Sequence, residues 1–500
     1  MLRRQIGGVA IALLLGLTVV GCAVPANPRL TAYGAGGYRY ANVRSEAAEE
    51  DLFVILAFSG GGTRAAAFSY GVLEGLRSIH YKSGGGAERT MLDDVDVISS
   101  VSGGSFTAAH YALFGSDGFK EFEENFLYRN IQGELVTRAL VQWPRFLRSD
   151  VSRIDMAAEL YDEVVFKHAT FATLLEQAPR RRPYLLLNAT DMMQGARFEF
   201  TQDQFDLLCS DLTTVPVARA VAASSAFPVL LSPLTLHNYT GGAPCDDFRP
   251  PRWLTNGLES ADQPRRMALA RNLLSYRTRV QDQPYVHLLD GGLSDNIGLR
   301  GPYIALSGQD SAWSLYTKIN QGKVKRVLVI TANARTGHDP EWGKRESPPG
   351  VIDVLDLVTT GPMGNYSFET VQLIAEHFAR LRSDLESFRA CESLAKDQCP
   401  AFSMPFDLPA DVSFHAVELA FENVKNDAGK EDERLRYCLE GLATAFYLPR
   451  AQVTLLRQVA QRLLMMSPAF TEAMQAIAPG WQPPNVPIDP VVFAEACPTR

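Results

Sequence analysis

The sequence lacks the closely spaced cysteines and histidines that are typical of zinc sites. Its 500 residues contain 7 cysteines and 8 histidines, and no CxxC motif occurs among them. We therefore expect no bound metal, and no motif calls for a cofactor. Cys22 is set apart because it lies at the end of the N-terminal apolar run discussed below. The other six cysteines are an even number that is compatible with disulfides in an oxidising compartment. Cys391 with Cys399 is the simplest pair because they close a short loop; buried free thiols are the alternative.

An excess of basic residues is also missing. The chain has 48 basic and 56 acidic residues, which gives a net charge of −8. This balance argues against a nucleic-acid partner, because such partners usually require a basic face. Hydrophobic residues make up 46% and charged residues 21%, so the composition is that of a globular protein.

No run of about 18 apolar residues occurs after the N-terminus, so we expect no membrane span there. Near the N-terminus, Arg3 and Arg4 precede a shorter apolar run that ends at Cys22. This pattern resembles the lipobox of bacterial lipoproteins, and an ordinary cleaved signal peptide is the alternative. We expect a signal peptide over residues 1–21 and a lipidated tether over residues 22–50. By the same resemblance, Ala23 favours anchoring in the cell envelope, at the outer membrane.

The folded part begins with two strand–turn–helix units. Leu52–Phe58 is a continuous apolar run typical of a buried parallel strand, and Ala65–Leu76 is predicted to be a helix. Val95–Ser100 repeats the strand, and a second helix is expected from Ser105. This order predicts an α/β fold with a mainly parallel sheet. Further strands are expected at 184–189, 197–201, 286–289 and 327–331, and helices in 120–178, 366–388, 413–425 and 451–466. We expect a domain over 51–340 and a mainly helical region without a chemical motif over 341–500.

The first candidate site is the glycine loop, Gly60–Arg64, which carries Gly60, Gly61 and Gly62 between a strand and a helix. Glycines allow close approach of a ligand to the backbone, and free N–H groups at a helix start favour negative charge. Such a loop holds a phosphate or an oxyanion. It lacks both the GK[ST] ending of a P-loop and the last glycine of a GxGxxG motif.

The second candidate is the serine turn, Ser100–Gly104, with Ser102 between a strand and a helix. It resembles the G-x-S-x-G nucleophile elbow, in which small residues such as Ser100 and Gly104 relieve crowding around the nucleophile. The third candidate is the aspartate turn, Asp290–Gly292, in which an apolar strand ends in an acid followed by Gly291 and Gly292. Strand ends are where α/β sheets place their sites. A surface Asp-Gly turn is the alternative.

Together, the three turns resemble the patatin-like phospholipase family, in its order of glycine loop, nucleophile elbow and D-G-[GA]. Residues 220–228 also resemble the family's A-S-x-A-x-P stretch, whereas Ser59 stands where the family often has Asp and Ala65 where it often has Gly. The resemblance implies a three-layer α/β/α fold. It also implies hydrolysis of acyl esters of membrane phospholipids without calcium, with Ser102 as nucleophile and Asp290 as base. Gly60, Gly61, Gly62 and Arg64 are implied to form or organise the oxyanion hole.

The sequence is compatible with two other functions. A Ser–His–Asp esterase requires a histidine after the acid, and His338, His377 and His415 are the candidates. A lipoprotein without catalytic activity that binds lipid or a partner is the second alternative.

Overall fold

The computed structural model describes most of the chain from Asn27 onward. The described residues are 27–43, 51–82, 88–147, 151–177, 183–228, 230–307, 313–315, 318–319, 323–337, 344, 346, 348, 350–393, 412–426 and 428–498. The predicted signal peptide, Cys22, His338 and Cys399 lie outside this part, as does the side chain of Cys391. Within the described part, no helix is both long and apolar enough to cross a bilayer.

The molecule is built on a mixed sheet whose strands are mostly parallel. The strands are β1 Leu52–Phe58, β2 His80–Lys82, β3 Glu88–Thr90, β4 Val95–Val101, β5 Tyr184–Asp191, β6 Ala196–Glu199, β7 Leu234–His237, β8 Tyr285–Asp290, β9 Arg326–Asn333 and β10 Ser413–Ala420. The main sheet has the order β10-β9-β1-β4-β5-β8-β7, with β6 attached to β5, whereas β2 and β3 pair separately.

Helices flank the sheet. The α-helices are α1 Tyr40–Val43, α2 Gly62–Ser78, α3 Gly103–Phe114, α4 Phe119–Phe122, α5 Ile131–Val141, α6 Arg153–Tyr161, α7 Phe171–Glu176, α8 Gln202–Asp206, α9 Val217–Ser224, α10 Arg252–Glu259, α11 Pro264–Thr278, α12 Gly292–Asp295, α13 Arg300–Ser307, α14 Val351–Ser393, α15 Glu433–Glu440, α16 Arg450–Met466, α17 Pro468–Ile477 and α18 Pro490–Ala496. The predicted α/β/α fold is confirmed.

The parallel part of the sheet follows from its apolar strands. β1 pairs in parallel with β4 and β9, and β5 pairs in parallel with β4. The residues of β1 after Leu52 are buried, which explains why this strand reads as one continuous apolar run. β8 runs antiparallel to β5, so its last residue, Asp290, meets the carboxyl half of β5.

Residues 27–43 correct the predicted tether. Asn27 and Tyr38 are buried, and the Tyr38 hydroxyl accepts a 2.8 Å hydrogen bond from the Leu185 backbone N–H. The Tyr38 ring stacks on Tyr184, with ring centroids 5.2 Å apart. The aromatic side chains of this segment therefore have partners in the sheet, and residues 27–43 belong to the folded protein. The tether prediction is wrong for them.

The C-terminal region joins the same sheet. Ser413–Ala420 forms β10, which pairs in parallel with β9, so the predicted helix over 413–425 is wrong. Alternating burial from Ala416 to Leu419 is the period-two pattern of a strand, and it outweighs the helix-forming composition of the segment. Helix α16 packs on α2, whose Gly71 lies so close that a Cβ there would be 2.8 Å from the Ala460 Cβ.

Two disulfides join cysteines that the sequence could not pair. Cys209 is bonded to Cys245, and Cys438 is bonded to Cys497. The alternative of buried free thiols is therefore wrong for these four residues. The second bond links α15 to the end of α18, within the C-terminal region.

Candidate active site

Ser102 lies at the sharp turn between β4 and α3. Its backbone has φ 49° and ψ −120°, a conformation that non-glycine residues rarely adopt. The next two glycines allow the turn, because a Cβ on Gly103 would collide with the Gly62 backbone. A Cβ on Gly104 would lie 2.7 Å from the Ser59 carbonyl oxygen. The structure therefore places Ser102 at the tip of a strained strand–helix turn, as the elbow motif requires.

Asp290 is the last residue of β8 and is 4% exposed. Burial raises the pKa of its carboxyl to about 6, and this rise is opposed by hydrogen bonds from the Gly292 backbone N–H and the Ser102 side chain. The Gly292 N–H donates to Asp290 Oδ1 over 2.8 Å. The buried carboxyl is therefore suited to exchange a proton near neutral pH.

Strand register explains how two residues far apart in sequence meet. Val101 of β4 is paired with Asn188 of β5, and the next residue of β5, Ala189, is paired with Asp290 of β8. Ser102 directly follows Val101, so it continues β4 at the level of Ala189. Ser102 and Asp290 thus flank β5 at the same height of the sheet, one strand spacing to either side.

The glycine loop begins at the end of β1 and leads into α2. Gly61 has φ 138° and Gly62 has φ 59°, both in the region that favours glycine. Within the described part of the chain, the backbone N–H groups of Gly61 and Gly62 have no hydrogen-bond acceptor. They lie at the start of α2, where the helix favours negative charge. These two groups are available to an oxyanion.

Gly60 contributes differently from its neighbours. Its N–H donates to the Asn296 carbonyl oxygen over 3.0 Å, so it is not available as an oxyanion donor, and the expected oxyanion role does not extend to it. Its missing side chain matters instead, because a Cβ there would lie 3.2 Å from the Ser102 Cβ and would collide with the Asn296 side chain. Gly60 thus keeps open the space next to Ser102.

Arg64 is buried and anchors the glycine loop from behind. Its Nε donates to the Ala334 carbonyl oxygen over 3.0 Å, and its Nη1 donates to Leu442 O and Thr444 Oγ1 over 2.7 and 2.9 Å. The guanidinium therefore organises the loop rather than facing a ligand. Ser59 belongs to the same support, because its hydroxyl accepts the Ala334 N–H over 2.9 Å.

The motif glycines after Asp290 are required by crowding. A Cβ on Gly291 would collide with the Asn188 carbonyl oxygen, and one on Gly292 would lie 3.0 Å from Asp290 Oδ1. The position of a Gly292 Cβ is also only 3.3 Å from the Met363 sulfur, so helix α14 passes beside the aspartate turn.

Several residues of the site carry no signal in the sequence. The Ala445 carbonyl accepts the Thr63 N–H over 2.8 Å and packs against Gly62, yet nothing around it resembles a motif. Met363 and Asn296 are likewise visible only in the structure. Ser224 is the exception, since it lies in the 220–228 stretch that the sequence singled out, and its hydroxyl accepts the Ser102 N–H over 2.9 Å.

The histidines that the structure describes do not join the site. None of them hydrogen-bonds to Ser102 or Asp290 in the described part of the chain. His377 contacts the Leu306 carbonyl, and His415 lies on β10, two strands beyond β1 in the sheet. His110 is buried between the rings of Phe114 and Phe122, and burial lowers its pKa to about 3.

The described residues hold no cluster of acidic, histidine and cysteine side chains with the geometry of a metal site. A cavity lined by Trp253, Trp313 and Arg197 among others opens elsewhere, and neither Ser102 nor Asp290 lines it. The three turns therefore meet at the ends of β1, β4 and β8, away from this cavity.

Among the comparisons with known proteins, the match to a family model agrees with this geometry, whereas the similarity to individual proteins is low. The patatin-like phospholipase family model matches residues 56–303. No curated protein matches the chain.

Among solved structures, human GIVD cytosolic phospholipase A2 is 12% identical with a TM-score of 0.45, covering 91% of this chain and 66% of its own. The same enzyme in complex with methyl gamma-linolenyl fluorophosphonate is 13% identical with a TM-score of 0.41, covering 86% and 59%. VipD from Legionella pneumophila is 11% identical with a TM-score of 0.27, covering 93% and 77%. The chain thus spans about two thirds of the length of the human phospholipase. On the match of the family model, residues 56–303 form a patatin-like phospholipase domain.

Proposed function

We propose that the protein is a lipid acyl hydrolase that cleaves acyl esters of membrane phospholipids with Ser102 as nucleophile and Asp290 as general base. The observation that carries the proposal is the pairing of a strained serine at an elbow with a buried aspartate whose pKa is raised to about 6. A serine hydroxyl is a weak nucleophile and needs an adjacent base. Asp290 is that base, because its ionised form predominates at neutral pH and the Ser102 side chain hydrogen-bonds to it.

The reaction uses each of the three turns. Asp290 takes the proton of the Ser102 hydroxyl while the oxygen attacks the ester carbonyl, and the negative charge moves to the carbonyl oxygen. The free N–H groups of Gly61 and Gly62 donate to this oxyanion. Asp290 then gives its proton to the leaving alcohol, and an acyl-serine remains. In the second half, Asp290 takes a proton from water, hydroxide attacks the acyl-serine, and the proton returns to the Ser102 oxygen.

The proposal includes attachment to the membrane through Cys22. A lipid-anchored hydrolase would be held close to acyl-ester substrates, and two or more acyl chains anchor a protein stably. The Cys22→Ser variant should move from the membrane fraction to the soluble fraction of an envelope preparation. If the variant stays in the membrane fraction like the wild type, the anchoring proposal is wrong, whereas the hydrolase proposal is unaffected.

The hydrolase proposal is tested by ester hydrolysis and labelling of the same variants. A fluorophosphonate probe should modify the wild type at Ser102, and mapping of the modified peptide identifies the residue. Ser102→Ala should abolish both labelling and hydrolysis, and Asp290→Asn should lower hydrolysis by about 10²- to 10⁴-fold, the usual contribution of a general base. Ser225→Ala is the matched control, because Ser225 is equally buried and its hydroxyl donates to a carbonyl group of α9.

Variants of His338, His377 and His415 distinguish the dyad from a Ser–His–Asp site. Each should keep most of the activity. A single histidine replacement that lowers activity as much as Ser102→Ala, in a folded protein, overturns the dyad and favours the esterase alternative. Binding of phospholipid vesicles without any hydrolysis favours the lipoprotein that lacks catalytic activity.

A further inference from the structure

Ser224 ends helix α9 directly behind the serine turn. Its side chain is fully buried, and its hydroxyl accepts the Ser102 backbone N–H over 2.9 Å. The same hydroxyl donates to the Asn188 carbonyl oxygen over 2.6 Å. Asn188 belongs to β5, the strand that separates Ser102 from Asp290. One hydroxyl therefore ties the nucleophile's backbone to the strand on which the register of the site depends.

The Ser224 hydroxyl makes two directed hydrogen bonds and has a third hydroxyl beside it. A serine hydroxyl has one proton to donate and two lone pairs to accept with. The proton goes to Asn188 O, and one lone pair receives the Ser102 N–H. Ser105 Oγ lies 3.0 Å away, and either of the two hydroxyl groups can be the donor in that contact. These two bonds in a buried position hold the rotamer of the side chain, and with it the position of the groups bound to it.

The backbone of the same residue holds the other half of the site. The Ser224 carbonyl oxygen accepts the Gly291 N–H over 3.0 Å, and the Ala226 carbonyl oxygen accepts the Asp290 N–H over 3.1 Å. The short segment 224–226 thus contacts the serine turn through a side chain and the aspartate turn through two carbonyl groups.

Strain at Ser102 explains why such a contact matters. A non-glycine residue with φ near 50° persists only where its surroundings hold it, and turns of this kind store strain at functional sites. The Ser102 N–H has no acceptor within α3, so without Ser224 it would be buried and unpaired. Relaxation of the turn would carry the Ser102 hydroxyl away from Asp290.

We propose that Ser224 is a positioning residue that fixes the Ser102 hydroxyl relative to the Asp290 carboxylate. The proposal rests on the Ser102–Asp290 dyad proposed above. Ser224 touches neither the substrate nor the reacting atoms, so its effect passes through the geometry of the dyad and not through substrate binding. Its removal should therefore lower kcat and leave KM nearly unchanged.

The adjacent residue provides a matched comparison. Ser225 directly follows α9 and is as buried as Ser224, but its hydroxyl donates to two carbonyl groups of that helix, Val221 O over 2.8 Å and Ala222 O over 3.3 Å. Ser225→Ala therefore removes a buried hydroxyl from the same helix end without touching either turn. Any general effect of losing a buried hydroxyl at the end of α9 appears in both variants.

The test measures the rate at which a fluorophosphonate probe labels Ser102 in the full-length wild type, Ser224→Ala and Ser225→Ala. Ser224→Ala should label about 10²-fold more slowly, since displacement by about 1 Å has effects of this size, whereas Ser225→Ala should label like the wild type. The acidic limb of the labelling rate should also move to higher pH in Ser224→Ala, because loss of the Ser102 hydrogen bond removes an interaction that lowers the pKa of Asp290. Ser224→Thr, which keeps the hydroxyl, should recover part of the rate.

The outcomes separate this proposal from the dyad itself. If the wild type is not labelled at Ser102, the proposed hydrolase is wrong. If the wild type is labelled but folded Ser224→Ala reacts at the same rate with an unchanged pH profile, Ser224 is only a packing residue and this inference is overturned. If Ser224→Ala does not fold, Ser224→Cys and Ser225→Cys decide in its place: slower labelling confined to Ser224→Cys supports the proposal, and equal rates contradict it.

Discussion

The domain of residues 56–303 and the C-terminal region from Val412 onward meet at the glycine loop, and they contribute to it in different ways. The domain supplies Ser102 and Asp290, the proposed nucleophile and base, and the N–H groups of the loop. The C-terminal region supplies the carbonyl oxygens of Leu442 and Ala445 that hold the loop from behind. The comparison teaches that the proposed chemistry is concentrated in short turns, whereas the glycine loop is held by residues far away along the chain. Arg64 and Leu442, for example, are 378 positions apart.

The largest effect in this comparison is expected within the glycine loop itself. Gly61→Ala places a Cβ about 2.8 Å from Arg64 Nη2 at a φ of 138°, so it should displace one oxyanion donor. We expect kcat to fall about 10²-fold, which corresponds to about 2.7 kcal/mol. Steady-state ester hydrolysis measures the change. Gly480→Ala is the control, because Gly480 also has a positive φ of 90° but no neighbour within 4 Å of its Cβ position. Equal activities of the two variants would remove Gly61 from the oxyanion hole.

A smaller effect is expected when the support from the C-terminal region is weakened. Thr444→Val removes one of the acceptors of Arg64 Nη1 and leaves Leu442 O in place. We expect a loss of kcat of about threefold to tenfold, because a hydrogen bond to a charged group stabilises by about 1.5–3 kcal/mol and only part of that acts on the loop. Thr471→Val, which loses a bond to the Ser467 carbonyl at the start of α17, is the control. If both variants keep full activity, the Thr444 hydroxyl does not control the geometry of the glycine loop.

The smallest effect on activity is expected at the disulfide of the C-terminal region. Cys438→Ser with Cys497→Ser opens a loop with a sequence separation of 59 residues, and the free energy of unfolding should fall by about 2–4 kcal/mol. Activity well below the unfolding temperature should stay near that of the wild type, since neither cysteine contacts the three turns. Thermal unfolding and hydrolysis of the same samples check both statements. A loss of kcat without a loss of stability would show that this bond also shapes the site.

The central strands and the turns after them were predictable because their signals are local. Leu52–Phe58 is bounded as predicted, and Ser102 follows β4 at a strand–helix junction as the elbow pattern indicated. A continuous apolar run and a cluster of small residues each have few structural interpretations, so local composition was sufficient.

The remaining features depend on contacts between distant residues. Residues 27–43 have the composition of a linker, yet Tyr38 is buried beside Tyr184, and no local sequence pattern predicts this contact. Ser413–Ala420 contains good helix formers, but the open edge of β9 offers backbone partners to a strand. The hydrogen bond of the Gly60 N–H was likewise not predictable from local sequence, because its acceptor, the Asn296 carbonyl oxygen, lies far away along the chain.

The pH dependence of Ser102 labelling tests the dyad most directly, because it reports the protonation of the base without the later steps of turnover. In the wild type the labelling rate with a fluorophosphonate should be constant above about pH 7 and fall tenfold per pH unit below an apparent pKa of about 6, since only ionised Asp290 can take the serine proton. Asp290→Asn should label slowly at every pH between about 4 and about 8 and show no such limb. A wild-type limb near pH 6 that persists in Asp290→Asn would contradict the account, because a group other than Asp290 would then be the base.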